Sequence, residues 1–351
     1  MQTCIGFDVG RSSTKIVASW GDGERKELLF PSSVVDAFAI SDEREAARAR
    51  EETVLVNNKA YFFGKVAQLQ GRLETTSGLT EDWVFSDQHS ALFLGGLKKL
   101  ADAGVPGVDK AIIVVGLPAA FYASQKVALS NTLSQLAPGA EIRVLSQSMG
   151  PYHQMIFTTD GREDTSVDPD QDSWAVVEVG QFTSDYAMVV KGHPIEHAFG
   201  SCDGMRIAAE ELQRILQKDP RKLHITMVEA TEALRTKEVS NFGSKVDVSA
   251  AVTECVKPLA AQIINKADQL IGTKARELNG VLIAGGGAPL IFPHLLEKWP
   301  HSKLTPNPRY SVADGFCRFA QALALYRASQ EASAPVAKSG RGGSKAQAEE
   351  A

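Results

Sequence analysis

The sequence predicts an α/β protein of two related lobes that face one ligand-binding cleft. Two observations carry this. The chain makes the same kind of turn twice, about 170 residues apart, and each turn opens a similar succession of strands and helices. In Cys4-Ile5-Gly6-Phe7-Asp8-Val9-Gly10-Arg11-Ser12-Ser13-Thr14-Lys15-Ile16-Val17, an apolar strand ends in an acid, and a tight glycine turn leads into a second strand. Trp174-Ala175-Val176-Val177-Glu178-Val179-Gly180-Gln181-Phe182-Thr183-Ser184-Asp185 repeats the plan around Glu178 and Gly180. A glycine two positions beyond the acid lets the backbone approach a ligand, and the hydroxyls and free N–H groups that follow suit phosphate oxygens. The acid stands where a phosphate-bound Mg²⁺ takes water-mediated oxygen ligands. One such turn reads as an ordinary β-hairpin. Two at domain-sized spacing read as a two-jawed clamp on a nucleoside triphosphate.

The elements follow in order. A strand at Lys26–Phe30 precedes Ser41–Glu52, whose charge and alanine content fits an exposed helix or a mobile excursion. Val54–Gly64 reads as a hairpin, because Asn57-Asn58 tolerates left-handed turn geometry. A helix over Asp87–Ala103 leads to Ala111–Pro118, an unbroken β-branched run suited to a strand buried on both faces. A helix over Ser124–Leu136 and a strand over Glu141–Leu145 complete the first half. Thr159–Ser173 crowds Asp160, Glu163, Asp164, Asp168, Asp170 and Asp172 among glycine and proline; lacking a calcium-loop pattern, it reads as a solvated loop. The second half predicts strands at Trp174–Glu178, Thr183–Val190 and Ile195–Ala198, then helices over Asp203–Gln217 and Met227–Arg235. A short strand near Lys245–Val248 enters a long helix over Ser249–Ile271. Gly280–Gly287 reads strand, glycine turn, helix, and an amphipathic helix spans Val312–Ala328. The tail, rich in Ala, Ser, Gly and Lys, has too little apolar content to bury a core and is expected to be disordered.

The 351 residues suffice for two or three domains with full cores. A net charge of −5 gives no global bias toward nucleic acid. Cys4, Cys202, Cys255 and Cys317 stand apart without metal-ligand spacing, which fits a reducing compartment. His193 and His197 lie in a strand pattern rather than at helical metal spacing. No segment approaches about 18 uninterrupted apolar residues, so a soluble, cytoplasmic protein without membrane contact is expected.

In this order the motifs resemble the actin-type ATPase superfamily, and within it the ParM (StbA) branch of bacterial plasmid-segregation actins. The resemblance covers roughly residues 1 to 330. Asp8–Lys15 resembles the first phosphate loop and Glu178–Asp185 the second. Leu145-Ser146-Gln147-Ser148-Met149-Gly150-Pro151 is similar to the first connecting segment, Phe199–Gly204 to the segment that opens a helix beside the nucleoside, and Leu282–Ile291 to the adenosine motif. Asn307–Phe316 looks like the ParM stretch that enters the final helix. Two departures stand out. The second loop usually begins with Asp and carries a second glycine, where this chain has Glu178 and Gln181; the extra methylene shifts the carboxylate by about 1 Å, a displacement that can slow catalysis. Gln147 stands where ParM tends to have Glu and eukaryotic actin has Gln. A neutral amide positions water but is no strong base.

The resemblance implies an actin-like (ribonuclease H-like) two-lobed ATPase fold with the nucleotide in the interlobe cleft. Lobe I would span 1–155, with a smaller inserted subdomain about 31–90. Lobe II would span 156–310, the helix at 311–330 would pack back on lobe I, and 331–351 would be the tail. Asp8 and Glu178 would hold Mg through water, and Gln147 would orient the attacking water. Gly10, Arg11, Ser12, Ser13, Gly180, Gln181 and Thr183 would surround the phosphates of ATP. Lys15 either neutralises a phosphate or is a solvated strand lysine, and Asp185 either joins the site or closes its own turn. Gly285, Gly286 and Gly287 would lie against the adenosine, with Asp203 and Arg206 toward ribose or base. The function implied is a filament-forming ATPase that partners itself and a DNA-binding adaptor of the ParR type, for replicon segregation. It need not touch DNA. The alternative is a small-molecule kinase of the same superfamily.

Overall fold

The computed structural model describes residues 2–71 and 81–333. The expected disorder of the tail lies almost wholly outside these residues. In the first half, β1 (Cys4–Val9), β2 (Ser13–Trp20) and β3 (Glu24–Pro31) form an antiparallel meander. The chain then builds a small layer from β4 (Val34–Asp36), α1 (Glu43–Glu51), β5 (Thr53–Val56), β6 (Lys59–Phe63) and α2 (Gly64–Gln70). Its β5–β6 turn places Asn57 and Asn58 at φ 51° and 62°, the two left-handed positions that a two-residue hairpin needs. Next, α3 (Asp87–Asp102) leads to β7 (Ile112–Leu117), and α4 (Ala119–Leu136) leads to β8 (Glu141–Ser146). β7 is buried along its whole length and lies parallel to both β1 and β8, giving the order β3-β2-β1-β7-β8.

After α5 (Met149–Ile156) the plan repeats. β9 (Ser173–Val179) and β10 (Thr183–Val190) pair antiparallel, with β11 (His193–Pro194) and β12 (Gly200–Asp203) along the far side of β10. Helices α6 (Arg206–Lys218) and α7 (Met227–Thr236), the hairpin β13 (Glu238–Asn241) with β14 (Ser244–Asp247), and α8 (Ser249–Ile271) follow. β15 (Gly280–Ala284), α9 (Ala288–Lys298) and β16 (Ser302–Leu304) close the second sheet as β11-β10-β9-β15-β16. Both sheets thus have a central strand joined antiparallel to the next strand in sequence and parallel to a later one.

Each sheet is covered on both faces. One face of the first buries Phe7, Ile16 and Ile113 beneath α3 and α4. The other buries Val17, Val114 and Cys4 beneath Phe316 and Cys317 of α10 (Ser311–Ser333). In the second sheet, Val177, Tyr186 and Ile283 pack toward α6, α8 and α9, while Val176, Ala187 and Leu282 meet Tyr152 and Ile156 of α5. α5 and α10 pack on each other, so the pair links the two sheets. Their junction holds buried Asp314, which accepts from Gln154 Nε2 at 2.9 Å, from Arg318 at 2.8 Å and from Arg25.

Three expectations need correction. Ile195–Ala198 is not a strand. β11 ends at Pro194 and a 3₁₀ turn over Glu196–Ala198 buries Ala198, so that β12 pairs with the other half of β10. α6 begins at Arg206 rather than Asp203, because Asp203 belongs to β12, opposite Thr183. α4 begins at Ala119, five residues before the expected start.

Candidate functional site

The polar ends of the two hairpins meet at a cavity of about 380 Å³, within the size range of small-molecule sites. Its wall includes Asp8, Gly10, Arg11, Ser12, Ser13, Lys15 and Gln147 from the first half. Glu178, Gly180, Gln181, Thr183, Gly286 and Gly287 come from the second. Asp8 and Glu178, about 170 residues apart in sequence, are therefore brought to one place, as the two-turn pattern predicts.

Asp8 is the penultimate residue of β1 and is 4% exposed. Lys15, opposite it across the β1–β2 ladder, ion-pairs with Oδ2 at 2.9 Å, and Gln147 Nε2 donates to Oδ1 at 3.1 Å. Glu178 holds the matching place in β9, and the residue across its ladder is Asp185. Burial pushes the Glu178 carboxyl well above the ordinary carboxylate range; the charges of Asp185 and Asp8 push the same way, and Lys15 pulls it back. Asp185 is also raised by burial, against the hydrogen bonds it accepts from Ser201, the Ala119 N–H and Thr183. One of those bonds reaches across the cleft: Asp185 caps the first amide of α4, whose own preceding residue, Pro118, offers no side-chain cap.

Glycines let the backbone close on these acids. A Cβ at Gly10 or Gly180 would fall 2.8 Å from the carbonyl of Ser13 or Thr183, the same clash in both turns. Gly285, at φ +91°, folds the turn after β15 over Glu178, where a Cβ would stand 2.4 Å from Oε1. Gly287 N–H donates to Val179 O at 2.9 Å, tying that turn to the second loop.

Asp203 and Arg206 are not brought into the cavity wall. Asp203 accepts from Gln262 Nε2 at 2.8 Å, and Arg206 ion-pairs with Glu210 at 2.8 Å on α6. Gly285 lies behind the wall that Gly286 and Gly287 form. Sequence reasoning missed several wall residues: Trp83 and Glu81 from a 3₁₀ turn, Thr231 and Arg235 from α7, and Arg309 after β16. Only the Asn307–Phe316 resemblance carried a hint, for Arg309. Gln181 Nε2 donates to Thr231 Oγ1 at 3.1 Å, so α7 is joined to the second loop.

Two family models match in series. The model of actin-like protein N-terminal domains matches residues 6–146, and the model of the C-terminal domain of archaeal MreB-like actin homologues matches 176–297. The chain belongs to the actin-like superfamily. Among solved structures of similar fold, a 15-stranded ParM filament from Clostridium botulinum shares 20% identity at a TM-score of 0.71, covering 91% of this chain and 99% of that one. Bacillus thuringiensis ParM with AMPPNP shares 14% at 0.62, covering 92% and 99%. The archaeal actin homolog Ta0583 in complex with ADP shares 17% at 0.63, covering 92% and 99%. The sequence matches no curated protein. This actin-like chain has no helix among its described residues that is long and apolar enough to cross a membrane.

Proposed function

We propose that this actin-like protein binds and hydrolyses ATP with Mg²⁺ in the cleft and polymerises into filaments that segregate a plasmid or similar replicon. The observation that carries the reading is the meeting of two acid-glycine hairpins, one from each sheet, at a single cavity. Gly10, Arg11, Ser12, Ser13 and Lys15 face the phosphates from one side, and Gly180, Gln181 and Thr183 from the other. Gly286 and Gly287, supported by Gly285, lie along the adenosine.

Asp8 and Glu178 supply oxygen donors only, the chemistry that Mg²⁺ prefers. Among the described residues no group of three His, Cys, Asp or Glu side chains stands ready to grip a metal. Asp8 and Glu178 would hold the ion through water. When bound, the ion would neutralise charge on the phosphate oxygens. Gln147 donates one amide N–H to Asp8, and its carbonyl oxygen would orient the attacking water. Loss of the γ-phosphate would remove contacts that hold the two loops together and weaken the filament. A DNA-binding adaptor of the ParR type would join filament to cargo, so the actin need not touch DNA.

Light scattering of the purified protein with Mg-ATP, followed by electron microscopy of the same sample, tests the reading. A rise accompanied by filaments, and absent with Asp8→Ala, is expected. A flat trace across protein concentrations while ATP is consumed would overturn the filament reading in favour of phosphoryl transfer to a small molecule.

A further inference from the structure

Between the two phosphate-facing turns, four side chains stack across the cleft in alternation. The Arg11 guanidinium, in the β1–β2 turn, lies 5.6 Å from the Trp83 ring centre and 5.7 Å from that of Phe182. Phe182, in the β9–β10 turn, is approached in turn by the Arg206 guanidinium at 5.7 Å. Both rings are anchored, and in different lobes. Trp83 is 6% exposed and meets the buried His89 ring edge-on at 5.1 Å. The Phe182 carbonyl accepts from Gly204 N–H at 3.0 Å, while the carbonyls before it accept from Met205 and Arg206. Arg206 is held by its pair with Glu210. Each lobe thus contributes one ring, and Arg11 lies against both.

We propose that Trp83 and Phe182 form an aromatic clamp that aims Arg11 at the terminal phosphate of a nucleoside triphosphate, so that this contact exists only while the lobes are closed. The proposal rests on the nucleotide reading of the cleft and adds how a triphosphate is told from a diphosphate. Arg11 is the binding residue; Trp83 and Phe182 are positioning residues. A free arginine side chain samples many rotamers, and holding it between two rings removes that ordering cost from the binding step. Burial already pushes the Arg11 pKa down, in keeping with a charge that gains from a nearby anion.

The test is calorimetric titration of full-length protein with the Mg²⁺ complexes of a non-hydrolysable ATP analogue and of ADP, below the concentration at which scattering rises. Phe182→Leu is expected to weaken the triphosphate by about tenfold and the diphosphate by less than about twofold, the scale of a desolvated cation–π contact. Phe182→Tyr should restore the preference, and Arg11→Gln/Phe182→Leu should be no worse than Arg11→Gln alone. Retained ADP affinity reports that the variants are folded. Equal weakening of both nucleotides, or additive losses in the double variant, overturns the clamp alone. A wild-type protein that binds neither nucleotide overturns the cleft reading and the clamp with it.

Discussion

The two hairpins share a backbone plan and differ in one ladder position. Seven residues after Asp8 comes Lys15, and the pair closes as a largely buried ion pair at 2.9 Å. Seven residues after Glu178 comes Asp185, so two buried acids oppose each other. The first jaw is electrically balanced by itself. The second is not, and its two acids divide the work. Asp185 accepts from an α4 amide and two hydroxyls, which favour its charged form. For Glu178, burial and like charges dominate and push its carboxyl well above the ordinary range. Equal geometry with unequal charge makes one jaw a fixed support and the other a site that responds to what enters the cleft.

The largest effect should come from making the jaws alike. Lys15→Glu would place an acid pair in the first hairpin as well, without the donors that surround Asp185. Breaking a buried pair costs about 3–5 kcal/mol, and urea unfolding should show a loss of that size. A loss under about 1 kcal/mol would mean that the pair is solvated and that the two hairpins do not differ in this way. Asp8→Ala acts next. Removing one preorganised charge from a phosphoryl-transfer site slows it about 100-fold, readable as phosphate release; a rate within about threefold of wild type would deny the first hairpin its role as a jaw.

Asp185→Asn sharpens the contrast through pH. A carboxyl whose folded pKa is raised stabilises the fold fully below its unfolded value, and that contribution is lost as pH rises through the folded value. The Glu178 site should therefore make the nucleotide-free protein less stable from pH 5 to pH 8. The buried histidines act in the opposite sense: burial holds His89 down at about 3 and His153 at about 4. Their stability is present above the ordinary 6.5 and lost as pH falls toward those values. Both proteins share the histidines, so the difference in unfolding free energy between wild type and Asp185→Asn isolates the acid pair. It should grow in the variant's favour by about 1–2 kcal/mol over that range, the scale of one pKa unit of coupling. A difference independent of pH would place the proton elsewhere.

Much of this was legible in the sequence because it is locally encoded. β10 and α8 occupy the residues expected of them, and both acids sit one residue from the end of an apolar strand. What escaped is held from a distance. α4 starts early because its cap, Asp185, lies 66 residues away. α5 goes unassigned: the Gly150-Pro151 in its first turn gives a weak helix signal, although proline is tolerated there. The β10 edge is shared by two short strands, which no single alternating run reveals. Trp83, Arg235 and Arg309 join the cavity only through folding, and Asp203 stays outside its wall, paired in β12 against Thr183 of β10.

The smallest effect concerns the extra methylene of Glu178. Taken alone, it displaces the carboxylate from the place that an Asp would reach. The structure supplies a compensation: the absent side chain of Gly285 is the space into which Glu178 Oε1 projects, 2.4 Å from where a Cβ would stand. The turn over the second jaw is thus shaped around the longer acid. Glu178→Asp should change phosphate release by less than about threefold, since the shortened side chain gains no position that the fold denies the longer one. A rise beyond about tenfold would show instead that side-chain length limits the rate, and that the first jaw's Asp is the better design for both.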